Sequence, residues 1–463
     1  MPNNKINIIE KPVTRREAIK TVGGALAVSL ASQAFPTLLF AKEQRPNIVF
    51  ILSDDHRWDC LSCMGHPFIK TPSMDSLARE GVLFENAFVT TSLCSPSRAS
   101  FLTGQYAHTH GVKNNITTWN DSNVTFLEIL KDAGYDTAFI GKWHMPGRLP
   151  HLRGVDEFIT FTIQQGQGRY FDCPLIINGK ETPRPGKYIT EDLTDFALGF
   201  ISRKRDNPFC LYLSHKAVHH QFLPPPELRG LYKDVKLHLP KDADPWCTWV
   251  DGALWYGTIG KLDYLYRRYC ETIVALDQQI GRLVKRLDQL GLSDNTVIIY
   301  TTDNGYFWGE HHLVDKRWPY EESIRIPFIV RYPGHIKNPG RRIPNMVLNI
   351  DVAPTLLDLA GVDIPKNMEG ISIKTVLNNS GASWRRAWLY EYFEDYPYQV
   401  PEMNGIRTDR YKYIEYKGKK KAELFDLSND PHEYHNIIKT PKGMERLPEL
   451  RKMLAQLKQG VRL

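Results

Sequence analysis

Four short, unbroken apolar runs constrain this chain more than any other feature. They are Asn47-Ile48-Val49-Phe50-Ile51-Leu52, Thr137-Ala138-Phe139-Ile140, Phe209-Cys210-Leu211-Tyr212-Leu213 and Thr296-Val297-Ile298-Ile299-Tyr300. Continuous apolar strands of this kind are expected where a sheet is covered on both faces, as in a parallel sheet between helix layers. Helical patterns fill the intervals, over 73–80, 125–133 and 263–290, the last closed by Gly291. The expected fold is an α/β sandwich around a largely parallel sheet. After about residue 375 the pattern changes, and 386–392 and 410–416 alternate as antiparallel strands do. This divides the chain after its leader into a main domain over 42–375 and a smaller subdomain over 376–463 with its own sheet. Residues 224–257, rich in Pro, Trp and charge, read as a long surface insertion.

The formal charge is +7, but the first 41 residues carry Lys5, Lys11, Arg15, Arg16 and Lys20 against Glu10 and Glu17. Removing that net +3 leaves +4 on the remainder. Such a balance suits a small anion or polyanion and is too mild for nucleic acid. Within residues 1–41, Arg15-Arg16 precede a small-residue and apolar run, which reads as a twin-arginine export signal cleaved after Ala34 or Ala41. Gly23, Gly24, Ser29 and Pro36 make that run a poor membrane span, and no later stretch is apolar enough. The mature chain is therefore expected in the periplasm or outside the cell, with no integral membrane segment. Seven cysteines is an odd number, so at least one stands outside any disulfide set. Cys60-Leu61-Ser62-Cys63 has no second Cys-x-x-Cys, so buried thiols or a disulfide are expected there rather than zinc.

Two of the apolar runs end in oxygen ligands. The first continues Ser53-Asp54-Asp55-His56 and the last Thr302-Asp303-Asn304-Gly305. In α/β sheets, ligands bind beyond the carboxyl ends of the strands. Three carboxylates and an amide make a hard set that suits Ca²⁺ or Mg²⁺. Either pair alone would read as a cap or turn, whereas both at strand ends of one sheet point to a metal. In Cys94-Ser95-Pro96-Ser97-Arg98-Ala99-Ser100-Phe101-Leu102-Thr103-Gly104, Ser95 is a natural N-cap, Pro96 a first helical residue and Gly104 a terminator. Cys94 is thus expected just outside a helix N-terminus, where an anion is favoured, with Arg98 one turn on. A low-pKa thiolate nucleophile is the alternative use of such a cysteine. Past the third run lie His215, His219 and His220.

The segment Cys94-Ser95-Pro96-Ser97-Arg98, followed by Leu102-Thr103-Gly104, resembles the signature of type I sulfatases, the formylglycine-dependent family of the alkaline-phosphatase-like superfamily. The resemblance runs from about Pro46 to about Asn436. Asp54-Asp55 and Asp303-Asn304-Gly305 match the family's metal pairs, and Gly141-Lys142-Trp143-His144 and Lys316 match its sulfate-binding elements. Glu423-Leu424-Phe425-Asp426-Leu427, with Asn429-Asp430-Pro431-His432-Glu433, matches a C-terminal element. The resemblance implies an α/β/α sandwich with a C-terminal α+β subdomain. It further implies that a maturation enzyme oxidises Cys94 to formylglycine (3-oxoalanine), whose hydrate supplies the nucleophilic oxygen. That group joins Asp54, Asp55, Asp303 and Asn304 as ligands of Ca²⁺, with Mg²⁺ the alternative.

Lys142 and Lys316 then hold the sulfate, and Arg98 holds the diol. His219, which follows the small-then-apolar pair Ala217-Val218 as in the family, protonates the leaving oxygen, with His215 its competitor. His144 takes the proton whose loss expels sulfate. The stretch 306–327 resembles glycan-directed bacterial members, so a sulfated carbohydrate is the implied substrate. A phosphonate or phosphate monoester hydrolase with the same formylglycine is the first rival, and a sulfoglycan-binding protein with Cys94 unmodified is the second.

Overall fold

The computed structural model describes residues 45–463, apart from 148, 150, 151, 239, 241–245, 248, 251, 252 and 255–259. Residues 1–41, expected from the sequence to be an export signal, lie outside the described residues. All four apolar runs form strands: β1 (Asn47–Ser53), β3 (Asp136–Gly141), β7 (Phe209–Ser214) and β8 (Thr296–Thr302). With β2 (Val82–Phe84), β4 (Glu157–Thr160), β5 (Leu175–Ile177), β6 (Lys180–Thr182), β9 (Phe328–Arg331) and β10 (Arg341–Ile343) they build a ten-stranded sheet. Its order is β10-β2-β9-β8-β1-β7-β3-β4-β5-β6. The central pairs β8/β1, β1/β7, β7/β3 and β3/β4 are parallel, while β9 runs antiparallel to β8 and β2.

β1 shows why the central runs do not alternate. Ile48, Phe50 and Leu52 enter one core, and Val49 and Ile51 the other, all fully buried. Burying each such side chain contributes roughly 1.5–3 kcal/mol. Helices α1 (Pro72–Glu80), α4 (Ile189–Ile201) and α5 (Leu262–Gln289) supply residues to the core that contains Val49 and Ile51. Helices α2 (Cys94–Thr103), α3 (Phe126–Asp132) and α6 (Val352–Leu359) supply the other. The α3 boundary follows its chemistry: Thr125 caps it, accepting from the Glu128 N–H.

The C-terminal sheet has four antiparallel strands, β11 (Ala387–Tyr392), β12 (Met403–Thr408), β13 (Tyr411–Tyr416) and β14 (Glu423–Asp426). Helix α7 (Pro441–Lys458) covers one face through Leu450, Leu454 and Leu457. The other face, through Trp388, Tyr390 and Tyr392, packs with Phe88, Leu93 and Phe307 of the main layer. Residues 45–463 form one compact unit, so this sheet is a subdomain fused to the main layer. Part of the 224–257 segment lies outside the described residues; within it, Leu228 is buried against the main core. Cys60, Cys63, Cys94, Cys173, Cys210 and Cys270 are free thiols. Among the described residues, no helix is long and apolar enough to cross a membrane.

Candidate active site

The parallel register sets the site. Ser53 pairs with Thr302, Leu52 with Ser214, and Ser214 with Gly141, so the strands end almost level. Their next residues are Asp54, Asp303, His215 and Lys142. Gly141 has φ 118°, and a Cβ there would fall 1.8 Å from the Ser214 carbonyl oxygen. Only glycine lets β3 turn Lys142 under the strand ends.

Helix α2 brings the cysteine. All ten of its residues are buried, and its hydroxyls are satisfied inside: Thr103 Oγ1 donates to the Ala99 carbonyl, and Asn349 Nδ2 donates to Ser97 Oγ. The expected cap is corrected by two residues. Leu93 is the N-cap and Cys94 the first helical residue. Ser95 therefore lies inside the first turn, and its hydroxyl donates to the His144 carbonyl, which ties the helix start to the loop after β3. Gly104 ends the helix as expected, with φ 68°.

The structure brings together every residue singled out at the strand ends. Cys94 Sγ lies 3.7 Å from Asp54 Oδ1, and ligand atoms of Asp54, Cys94 and His219 lie within 4.8 Å of one another. Lys142 Nζ pairs with Asp54 and donates to Gln167 Oε1 at 2.7 Å. Lys316 Nζ pairs with Asp55 Oδ1 at 2.5 Å. Arg98 bridges the two strand-end pairs, 2.8 Å from Asp303 Oδ2 and 3.4 Å from Asp54 Oδ2, and donates to Ser214 Oγ at 2.6 Å. Asp55, His144, Asp315 and Arg317 all hold left-handed backbone, and such strain gathers at functional sites.

The histidines separate by position. His219 Nε2 stands 3.7 Å from Asp55 Oδ2, and its ring lines a cavity of about 790 Å³ with His144, Lys216 and Lys316. His215 is fully buried and does not line that cavity, and among the described residues neither ring nitrogen makes a hydrogen bond. The loop is pinned to the end of β1: the Asp54 N–H donates to the Ala217 carbonyl, and the Val218 N–H to the Asp54 carbonyl. The Tyr170 hydroxyl donates to the His219 carbonyl.

Burial and charge set the electrostatics. Burial raises Asp54, but Lys142, Arg98 and Lys316 outweigh it and hold the group at about 2. Burial raises Asp55 to about 7, with Asp54 and Asp303 adding to the rise against Lys316. Burial pushes the Cys94 thiol well above the usual cysteine range, which argues against the low-pKa nucleophile. Burial, then Lys142 and other cations, keeps His144 and His219 well below the usual histidine range.

The residues fit a hard divalent cation. Asp54, Asp55 and Asp303 each offer an oxygen within 4.8 Å of the others. Asp55 Oδ2 and Asn304 Oδ1 are buried and make no hydrogen bond among the described residues. Buried oxygens left with open lone pairs are costly unless a cation takes them.

Several site residues carried no readable sequence signal. Ser214 and Gln167 matter only through Arg98 and Lys142. Asp395 reaches the cavity from the C-terminal subdomain, where it pairs with Arg317 at 3.3 Å and accepts from the Asn115 N–H at 3.2 Å. Lys216 sits beside the histidine candidates, but only the fold shows that it lines the cavity.

This fold and this cluster define a hydrolase that acts on an anionic ester, and comparison places the chain within such a class. Residues 46–362 match the sulfatase family, and residues 309–460 match the C-terminal part of N-sulphoglucosamine sulphohydrolase. The chain belongs to the sulfatase family and is a sulfuric ester hydrolase. It is 34% identical to the N-acetylglucosamine-6-O-sulfatase of Bacteroides thetaiotaomicron, over 93% of this chain and 89% of that one. It is also 34% identical to the human N-acetylglucosamine-6-sulfatase, over 76% of this chain and 68% of that one. A solved structure in complex with its substrate D-glucosamine-2-N,6-O-disulfate shares the fold at TM-score 0.83 and 32% identity, covering 90% of this chain and 98% of that one.

Proposed function

We propose that this protein is an exported, calcium-dependent sulfatase that removes the 6-sulfate of sulfated glucosamine residues, using a formylglycine made from Cys94. The observation that carries the reading is the convergence of Cys94, Asp54 and His219 within 4.8 Å, at the strand ends that also hold Lys142 and Lys316. The kinship with N-acetylglucosamine-6-sulfatases supports the substrate class.

Formylglycine at position 94 would supply the nucleophilic oxygen, and Ca²⁺ held by Asp54, Asp55, Asp303 and Asn304 would add positive charge beside the sulfate. The remaining work falls to the chain. Lys142 and Lys316 offset the charge of the ester, and act strongly because their surroundings exclude water. Arg98 locks Asp54 and Asp303 in place. His219 donates a proton to the departing sugar oxygen from the cavity wall, where an unactivated alkoxide needs one, and the negative charge of the bound ester offsets the cations that lower its pKa in the free site. His144, held by Ser95, accepts a proton on the Cys94 side. The twin arginines and the apolar run of residues 1–41 support export to the periplasm or beyond.

The test is sulfate release from N-acetylglucosamine 6-sulfate by protein co-expressed with a maturation enzyme, alongside its intact mass. The mass should carry the thiol-to-aldehyde change at Cys94. Chelation should remove the rate, and Ca²⁺ should restore it. Full activity in excess chelator with an unmodified cysteine overturns the reading.

A further inference from the structure

Lys216 is 1% exposed and lines the active-site cavity, yet among the described residues its ammonium makes no hydrogen bond and no ion pair. Its one neighbour of note is the ring of Tyr170, 5.0 Å away. The other site cations are engaged: Lys142 and Arg98 on Asp54, Lys316 on Asp55, and Arg317 on Asp315 and Asp395. A buried ammonium without an anion is costly, and such groups persist where a ligand completes them.

The pairing within the site gives the sign of that ligand. Arg98 and Lys142 are held by Asp54 and Asp303, Lys316 by Asp55, and Arg317 by Asp315 and Asp395. Lys216 is the cavity lysine with no carboxylate paired to it among the described residues, and Gln164, Gln165 and Gln221 line the same cavity. The ligand that completes it is an anion.

Building on the proposed sulfatase reading, we infer that Lys216 is a specificity residue that binds a second anionic group of the substrate, next to the sulfate that is removed. The group is an N-sulfate on the same sugar or a uronate carboxylate on the adjoining one. Tyr170 braces both partners of the arrangement, since its ring carries the Lys216 ammonium and its hydroxyl holds the His219 carbonyl. Burial and the nearby Lys142 pull the ammonium down to about 7, and a bound anion would restore its ordinary charge.

The test is equilibrium binding by calorimetry in Ca²⁺, using full-length Cys94→Ala so that nothing turns over. The probes are N-acetylglucosamine 6-sulfate, D-glucosamine-2-N,6-O-disulfate, and a uronate-linked disaccharide of N-acetylglucosamine 6-sulfate. The Cys94→Ala protein should prefer at least one doubly anionic probe. Adding Lys216→Met or Lys216→Gln should cut that preference about tenfold or more. The probe whose preference falls identifies the anion as N-sulfate or carboxylate. Preference kept within twofold in both Lys216 variants, or no preference to begin with, overturns the inference. Turnover by the unmutated enzyme is scored separately: failure on all three probes refutes the 6-sulfate reading, while the Kd ratio still judges Lys216. No binding by any probe refutes both.

Discussion

Two regions of this molecule bury dense charge, and they do so differently. Where the C-terminal sheet meets the main layer, Lys412 is 1% exposed and lies 3.0 Å from Glu321, 2.6 Å from Glu433 and 2.8 Å from the Pro319 carbonyl. Its needs are met within the chain. At the strand ends, by contrast, Asp55 Oδ2, Asn304 Oδ1 and His219 Nδ1 are buried with no hydrogen bond, and Lys216 has no counter-ion among the described residues. Self-completed charge fixes two layers to each other. Charge left open toward a cavity is binding capacity held ready for ligands, and the strained residues Asp55, His144, Asp315 and Arg317 belong to this second region.

The comparison breaks first at Cys94. Cys94→Ala should lower sulfate release by roughly 10⁴-fold or more, because no nucleophile can form. Its melting transition should persist, since the side chain holds no layer together. A variant that kept most of its rate would remove the nucleophile from the site.

His219→Ala should cost roughly 10²–10⁴-fold on a sugar sulfate and far less on nitrophenyl sulfate, whose leaving group departs unaided. His215→Ala should show no such leaving-group dependence, because its ring does not line the cavity. Rates of both variants on both substrates decide the matter. A leaving-group-dependent defect in His215→Ala, with His219→Ala near the parent rate, would transfer the proton-donor role.

Lys412→Met sharpens the other side of the comparison. It strands Glu321 and Glu433 without their cation, and breaking a buried pair in this way costs about 3–5 kcal/mol. Denaturant titration should show that loss, while folded molecules keep their KM. If stability stayed put and KM rose, the C-terminal cluster would belong to the site after all.

The last effect is with pH. Burial holds His56 at about 4, and burial likewise holds His110 and His215 at about 3. The unfolded chain takes up these protons near 6.5, before the native state does. Stability should therefore be full above about 6.5 and fall as pH drops toward 4. A melting temperature flat across that window would mean that these rings are charged in the native state.

Much of this was legible because it was local. An unbroken apolar run such as Asn47–Leu52 can be read without tertiary knowledge, since a strand covered on both faces cannot alternate. The paired carboxylates at 54–55 and 303 and the Cys94-to-Gly104 helix are equally short-range patterns. The N-cap was misread because Ser95 has the right chemistry for capping, and only the approach of the His144 carbonyl shows where its hydroxyl goes. β12 was not read because Met403–Thr408 alternates too weakly to declare itself, and cross-strand partners stabilise it.

By itself, the sequence determined the class of fold, the carboxylates and amide at the strand ends and the helix that carries the cysteine, because each follows from the order of neighbours along the chain. The tertiary structure alone decided which histidine reaches the cavity, that Asp395 joins it from the C-terminal subdomain, and that Lys216 faces it without an ion-pair partner among the described residues. Those outcomes depend on strand register and on which layers pack together. Side chains far apart in the chain meet only when the sheet has aligned its ends.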